Sequence, residues 1–250
     1  MMARDLARCL DPVLFALDCG IVPDPWQAEL LRDRPRRSLL LCSRQSGKST
    51  VTALTALWEA IYSAPALVVI VSPSQRQSAE MFRTLMLFHA KLEGAPSLSS
   101  ESVLKAEFSN GSRILALPGV ERTVRGLANV SLAIVDEAAR VDDELLTAIR
   151  PMMATSEGGG RLIALTTPAG KRGWFFESWT KPGGNWTRVR VPASDCPRIT
   201  QDFLDEELKE LGAMRFSEEY QLEFRDSDEA VFPVGIISAA FTSEVQPLWT

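Results

Sequence analysis

Apolar residues are grouped along the chain in two alternating patterns. Uninterrupted apolar runs, which are typical of strands buried on both faces of a sheet, span residues 39–41, 67–71, 132–135 and 162–165. Apolar residues at helical spacing, which predict amphipathic helices, occur over residues 49–62, 74–92 and 142–153. Strands that alternate with helices predict a mostly parallel sheet covered by helices on both faces.

The remaining segments add shorter elements to this plan. Leu6, Leu10, Leu14 and Leu17 follow helical spacing, so residues 1–22 are expected to form one or two short helices. Asp24 and Pro25 have the character of a helix N-cap and first helical position. A hairpin is predicted at 103–117 because it contains Asn-Gly, and residues 93–102 are expected to form a loop.

Two patterns near the end of the chain complete the prediction. Alternation over residues 186–191 is typical of an edge strand. One helix is expected to start at Thr200, and a second is expected over residues 214–224.

Composition narrows the class of protein. The 250 residues carry a net charge of −5, so there is no overall basic signature of nucleic-acid binding, although a local basic surface is compatible with this sum. The four cysteines show no C-x-x-C spacing, which argues against a zinc site or a disulfide framework and fits a reducing compartment. No apolar run approaches membrane-spanning length, so we expect no membrane association.

A candidate phosphate-binding loop lies between the first apolar run and the helix that follows it. In such a loop, backbone N–H groups surround phosphate oxygens, and Gly47 permits close approach because it has no Cβ atom. Lys48 would reach the β- and γ-phosphates, and the Ser49 hydroxyl would bind Mg²⁺. Cys42 departs from the general pattern, which has glycine at its first position. The predicted nucleotide-binding residues of this loop are Ser43, Gln45, Ser46, Gly47, Lys48, Ser49 and Thr50.

Two carboxylates follow the apolar run at residues 132–135. Asp136 suits support of Mg²⁺, and Glu137 is the candidate general base that activates the attacking water. Arg44, inside the phosphate-binding loop, is the candidate for stabilising transition-state charge within the same chain. Ordinary surface positions are the alternative for all three side chains.

Polar residues also end another strand and begin an early helix. Thr166 and Thr167 end the run at 162–165, where they could sense the γ-phosphate or simply terminate the strand. Ligands of parallel sheets bind beyond the carboxyl ends of the strands, so the three polar strand ends are expected to form one site. Farther upstream, Gln27 could read the adenine edge, and Trp26 could stack on adenine or belong to the core.

These motifs resemble those of the ATPase domain of the large terminase subunit, the DNA-packaging motor of tailed phages. The resemblance covers roughly residues 20–232. It rests on the arginine-containing phosphate loop at 43–49, the Walker B pattern at 134–138, the coupling motif at 165–168, the adenine motif at 25–27, and a lid-like segment from 219–220 through 231–232.

The resemblance implies an α/β fold of the P-loop NTPase class, of the additional-strand, catalytic-glutamate type. It has a mostly parallel central sheet flanked by helices and a small C-terminal lid subdomain. Residues 1–198 would form the ATPase core, residues 199–232 the lid, and residues 233–250 a linker toward a nuclease domain. We expect no nuclease activity from this chain.

The resemblance also implies roles and partners. ATP would be hydrolysed with Mg²⁺ to move viral double-stranded DNA into a procapsid, in the host cytoplasm. The partners would be DNA, the portal protein, the small terminase subunit and further copies in a ring, commonly a pentamer, although an isolated chain would be monomeric. Arg125 is the candidate trans-acting arginine, with Arg122 as second choice and a plain loop arginine as the alternative.

Two other functions are weighed against this motor. One is a helicase-like or other P-loop ATPase that acts on nucleic acid. The absence of Ala-Asp or Ala-His after Asp136-Glu137 disfavours a helicase. The other is a nucleotide-binding assembly module without turnover. Glu137→Ala distinguishes it from the motor, in which this change should abolish hydrolysis and retain ATP binding.

Overall fold

The computed structural model describes residues 2–119, 124 and 126–226. Within this part, eight strands form one sheet in the order β3-β4-β5-β2-β6-β7-β1-β8. The strands are β1 (Arg37–Cys42), β2 (Leu67–Ser72), β3 (Leu98–Ser102), β4 (Lys105–Phe108), β5 (Arg113–Pro118), β6 (Val130–Asp136), β7 (Arg161–Thr166) and β8 (Thr187–Val191).

Most of the sheet is parallel, as the alternating pattern predicts. Strands β5, β2, β6, β7, β1 and β8 pair in parallel, whereas β3 and β4 extend the sheet as antiparallel strands. Strand β7 lies between β1 and β6, so the strand that precedes the phosphate-binding loop and the strand that ends in the two carboxylates are not neighbours. Parallel pairing places the carboxyl ends of β1, β6 and β7 at one edge of the sheet.

Helices cover both faces of this sheet. They are α1 (Met2–Leu10), α2 (Pro12–Asp18), α3 (Pro25–Asp33), α4 (Lys48–Tyr62), α5 (Gln75–Lys91), α6 (Asp143–Met152), α7 (Gly173–Thr180) and α8 (Gln201–Glu219). Strand β1 shows why its apolar run is continuous. Leu40 and Cys42 belong to the core that contains residues of α4 and α5, and Leu39 and Leu41 belong to the core that contains residues of α6 and α7.

The two N-terminal helices form as predicted, but the leucines whose spacing predicted them are exposed to solvent. Leu6 and Leu10 are 58% and 76% exposed. The buried residues of this region include Arg8 and Phe15, and Arg8 pairs with Asp18. Helical spacing therefore identified the helices, but it did not identify the face that packs against the core.

Two predictions of secondary structure need correction. The expected loop at 93–102 contains strand β3, which pairs antiparallel with β4. The expected second C-terminal helix ends at Glu219 and not at residue 224, and it continues α8 across Gly212, whose φ of 72° and ψ of 159° interrupt the helix. Ala193, Leu204, Phe216 and Tyr220 form a small apolar cluster separate from the two main cores. No described helix is long and apolar enough to cross a membrane.

Candidate functional site

Three strand ends bring the predicted catalytic groups together at the carboxyl edge of the sheet. Lys48 Nζ lies 3.8 Å from Glu137 Oε1. The Thr166 hydroxyl oxygen lies 3.4 Å from Glu137 Oε2, and its proton is donated to the nearer Thr167 carbonyl over 2.6 Å. These contacts join the phosphate-binding loop, the end of β6 and the end of β7, as the strand-end argument predicts. An open cleft beside them is lined by Arg44, Gln45, Gly47, Lys48, Ser49, Thr50, Glu137 and Arg198.

The phosphate-binding loop has the backbone conformations that such a turn requires. Gln45 and Gly47 adopt positive φ values of 61° and 86°. A Cβ atom at Gly47 would lie 2.6 Å from Gln27 Nε2 and displace that amide, and the positive φ itself disfavours any residue other than glycine there. Ser46 stabilises the turn because its hydroxyl donates to the Ser43 carbonyl over 2.8 Å. Cys42, where the general pattern has glycine, is the fully buried last residue of β1.

Two side chains from distant segments fix this loop from outside. Gln27 Nε2 donates to the Gly47 carbonyl over 3.1 Å, while Gln27 Oε1 accepts from the backbone N–H of Asp24 over 2.9 Å. Arg198 donates to the Ser46 carbonyl over 3.0 Å and to Asp24 Oδ1 over 2.6 Å. Helix α3 and Arg198 therefore each fix one carbonyl of the loop.

Glu137 lies at the centre of a cluster of polar contacts. Its backbone adopts a left-handed conformation with φ 49° and ψ 45°, directly after the last residue of β6. Besides Lys48 and Thr166, it accepts a hydrogen bond from Arg140 Nη1 on Oε2 over 2.7 Å. A carboxylate held by two cations at the end of a buried strand is well placed to act as a general base on a nearby water.

Asp136 occupies a different environment from its neighbour. The side chain is buried, and its Oδ1 accepts the backbone N–H of Glu137 over 3.0 Å. Burial, together with the nearby charge of Glu137, raises the pKa of Asp136 to about 6. A buried carboxylate whose ionised form is disfavoured gains strongly from a neighbouring cation. Asp136 is therefore chemically suited to support a divalent ion.

Thr166 and Thr167 connect the end of β7 to the catalytic cluster. Besides its contact to Glu137, the Thr166 hydroxyl accepts the backbone N–H of Ala139 over 3.4 Å. Thr167 Oγ1 accepts from Arg140 Nη1 over 3.0 Å, and Arg140 Nη2 donates to the Pro168 carbonyl over 3.4 Å. Arg140 therefore contacts both Glu137 and the segment after β7.

Arg44 points toward helix α8. Its guanidinium forms two hydrogen bonds with the Glu219 carboxylate, of 2.8 Å and 3.2 Å. The Arg44 side chain is 62% exposed, so this ion pair contributes little stability and is easily exchanged for another anion. The pair links the phosphate-binding loop to the segment predicted as the lid.

The predicted adenine-binding tryptophan and the predicted trans-acting arginines are not tested by the contacts of the described residues. Trp26 is half-buried, packs against the main core, and has a buried Nε1 atom without a partner among the described residues. Arg122 and Arg125 lie outside the described residues, as does the part of the lid-like segment at 231–232. The adenine and trans-arginine assignments stay predictions.

Two functional residues were missed by sequence reasoning. Arg140 follows Glu137 by three residues, and the single 3₁₀ turn at Ala138–Arg140 returns its guanidinium to that carboxylate. An arginine three positions after a glutamate can indicate an ion pair between the two side chains, so the sequence did contain a signal for this contact. Arg198 lies about 150 residues from the loop that it supports, and no local pattern marks it.

The proposed metal ligands come from two elements only. Ser49 lies in the first turn of α4 and Asp136 at the end of β6. The described residues contain no group of three or more His, Cys, Asp or Glu side chains that could hold a metal ion. A metal at this site would therefore depend on phosphate oxygens and water for its other ligands, which is the usual situation for Mg²⁺ in nucleotide sites.

Comparison with solved structures identifies relatives of the same fold. The Thermus phage P74-26 large terminase ATPase domain matches with a TM-score of 0.73 and 21% identity, over 84% of this chain and 97% of that chain. The HK97 bacteriophage large terminase matches with a TM-score of 0.68 and 18% identity, over 82% of this chain and 51% of that chain. This chain thus spans about half of that protein.

A third solved structure was determined with nucleotide. The large terminase of a thermophilic bacteriophage, in complex with ADP, matches with a TM-score of 0.64 and 11% identity, over 77% of this chain and 49% of that chain. None of the curated proteins matches this sequence.

The family comparison is independent of these structures. The family described as "Terminase large subunit, T4likevirus-type, N-terminal" matches residues 39–238. This range includes the phosphate-binding loop, both carboxylates and the Thr166-Thr167 pair. The chain belongs to the terminase large subunit family, and it has the fold of that family's ATPase domain.

Proposed function

We propose that this chain hydrolyses ATP and that turnover drives viral double-stranded DNA into a procapsid. The observation that carries the proposal is the approach of Lys48, Glu137 and Thr166 at the edge where β1, β6 and β7 end. The family assignment favours a packaging motor over the helicase-like alternative.

In the proposed reaction, the phosphate-binding loop holds the triphosphate and Lys48 neutralises the β- and γ-phosphates. Glu137 accepts a proton from water as the water oxygen bonds to the γ-phosphorus. The bond between the γ-phosphorus and the bridging oxygen breaks, which yields ADP and orthophosphate. Arg140 keeps the Glu137 carboxylate in place during this transfer.

The donor set fits Mg²⁺, since a hydroxyl and a carboxylate supply the hard oxygen ligands that this ion prefers. Ser49 and Asp136 would hold it, and it would neutralise charge that develops on the phosphate oxygens. For Arg44 to act in cis, it must leave Glu219 when the γ-phosphate binds. Because Glu219 ends helix α8, this exchange would alter the contact between loop and lid.

The assembled motor is part of the proposal. We propose a ring of copies, commonly five, at the portal of a procapsid in the host cytoplasm, with the small terminase subunit as a further partner. Arg125, or Arg122, would complete the site of the neighbouring subunit. Isolated chains would then hydrolyse ATP slowly, because that arginine would be absent.

DNA packaging tests this proposal directly. Purified protein would be mixed with procapsids, linear duplex DNA and ATP, and the DNA protected from nuclease digestion would be measured. We expect protection with the wild type and none with Glu137→Gln, while Glu80→Gln, an exposed change on α5, behaves as the wild type. ATP-dependent protection that survives Glu137→Gln would contradict the proposal.

A further inference from the structure

A second polar cavity includes Arg140, whose guanidinium also contacts Glu137. Three chain segments build it: the turn that contains Arg140, the loop before α7, and the second half of α8 with the residues after it. The lining residues are Ala139, Arg140, Ala169, Gly170, Arg172, Arg215, Glu218, Arg225 and Asp226.

The charges in this cavity are unbalanced. Among the described residues that line it, there are four arginines and two acidic residues, and Asp226 already pairs with Lys171 Nζ over 3.2 Å. Arg172, Arg215 and Arg225 form no ion pair with any residue of the described ranges. The excess positive charge that lines the cavity would attract an anion.

The walls of the cavity are fixed by specific contacts. The backbone N–H of Lys171 donates to the Arg225 carbonyl over 2.9 Å, which joins the loop before α7 to the segment after α8. Gly170 adopts a positive φ of 78°, and a Cβ atom there would lie 3.7 Å from the same carbonyl. These contacts hold the loop that carries Arg172 against the segment that carries Arg225.

We propose that this cavity binds a phosphate oxyanion, with Arg172, Arg215 and Arg225 as its main ligands. Planar guanidinium groups match phosphate oxygens in pairs, which makes arginine the preferred residue for such anions. Arg140 belongs both to this cavity and to the Glu137 cluster, so the bound anion lies next to the catalytic carboxylate.

If the proposed function holds, two ligands could supply the phosphate group that this cavity binds. One is the backbone of duplex DNA, and the other is the orthophosphate that ATP hydrolysis releases beside Glu137. The choice of source rests on the proposed function. The presence of the site does not, since it depends only on the arginines and their geometry.

Equilibrium dialysis with radiolabelled orthophosphate tests the site. The measurement uses the Lys48→Ala background, so that the phosphate-binding loop contributes little and no turnover is involved. We expect one saturable site whose affinity falls at least about tenfold when Arg172→Ala and Arg215→Ala are added. Arg113→Ala, which removes an exposed arginine at the opposite edge of the sheet, is the matched control and should leave the affinity unchanged.

A competition arm distinguishes the two sources. Displacement of orthophosphate by a short linear duplex, weaker at higher salt, would identify the DNA backbone. Binding that the duplex does not displace would identify the released product. Absence of saturable binding, or equal binding with and without the two arginines, would overturn the proposal. Because this experiment does not measure hydrolysis, neither result bears on the proposal that the chain hydrolyses ATP. That proposal is tested separately, by the packaging experiment.

Discussion

Replacement of Asp136 by asparagine should make the protein more stable in the absence of nucleotide and metal, while it damages the proposed metal site. The Asp136 carboxylate is buried, and its pKa in the folded chain is about 6, against an ordinary value of 3.8. Ionisation is therefore less favourable in the folded state than in the unfolded state. Asparagine keeps the oxygen that accepts the Glu137 N–H and removes the buried charge.

The magnitude follows from the two pKa values. A folded-state pKa that is raised from 3.8 to about 6 corresponds to about 3 kcal/mol of lost stability at pH values above both. The folded chain binds the proton more tightly, so stability is full below about pH 4, declines as the pH rises to about 6, and is constant above that value. The Asp136→Asn variant would not show this decline.

Urea unfolding in the presence of a chelator measures this difference. At pH 7.5, Asp136→Asn is expected to raise the free energy of unfolding by about 3 kcal/mol, and at pH 4 the two proteins should be equally stable. Asp142→Asn, at an exposed helix N-cap, is the matched control and should change stability by less than about 0.5 kcal/mol. Equal or lower stability of Asp136→Asn at pH 7.5 would refute the reasoning.

Two further predictions concern ion pairs of different burial. Glu59 is buried and pairs with Arg161 and Arg34, both at 3.1 Å. Glu59→Ala should therefore lower the free energy of unfolding, measured in urea, by about 3–5 kcal/mol, because it leaves the largely buried Arg161 side chain without its partner. A loss below about 1 kcal/mol, as expected for exposed pairs, would contradict this prediction. Arg140→Ala should lower kcat for ATP about tenfold with little change in KM, because Glu137 loses its 2.7 Å contact, and Arg140→Lys should restore part of the rate. An unchanged kcat in Arg140→Ala would remove that positioning role.

Much of the fold was predictable because its core strands are buried on both faces. Such strands need apolar residues at every position, and β2 and β6 stand out in the sequence for that reason. Strand β3 was missed because four of its five residues are exposed and its sequence is polar. Its pairing depends on the neighbouring hairpin strand and not on its own composition.

The candidate site was predictable as far as it follows from strand ends. Lys48, Glu137 and Thr166 each follow or end an apolar run, and parallel pairing brings them together without further information. Arg198 and the arginines of the second cavity depend on how distant loops and α8 pack, which local patterns do not encode. The orientation of Arg44 toward Glu219 likewise required the tertiary structure.

The most direct test of the catalytic cluster separates ATP binding from ATP hydrolysis in one variant. Glu137→Gln preserves the shape of the side chain and removes its capacity to accept a proton. We predict that this variant binds ATP about as tightly as the wild type, measured by equilibrium dialysis, while release of orthophosphate falls by a factor on the order of 10² or more. Wild-type rates of phosphate release from Glu137→Gln would contradict the assignment of Glu137 as the general base.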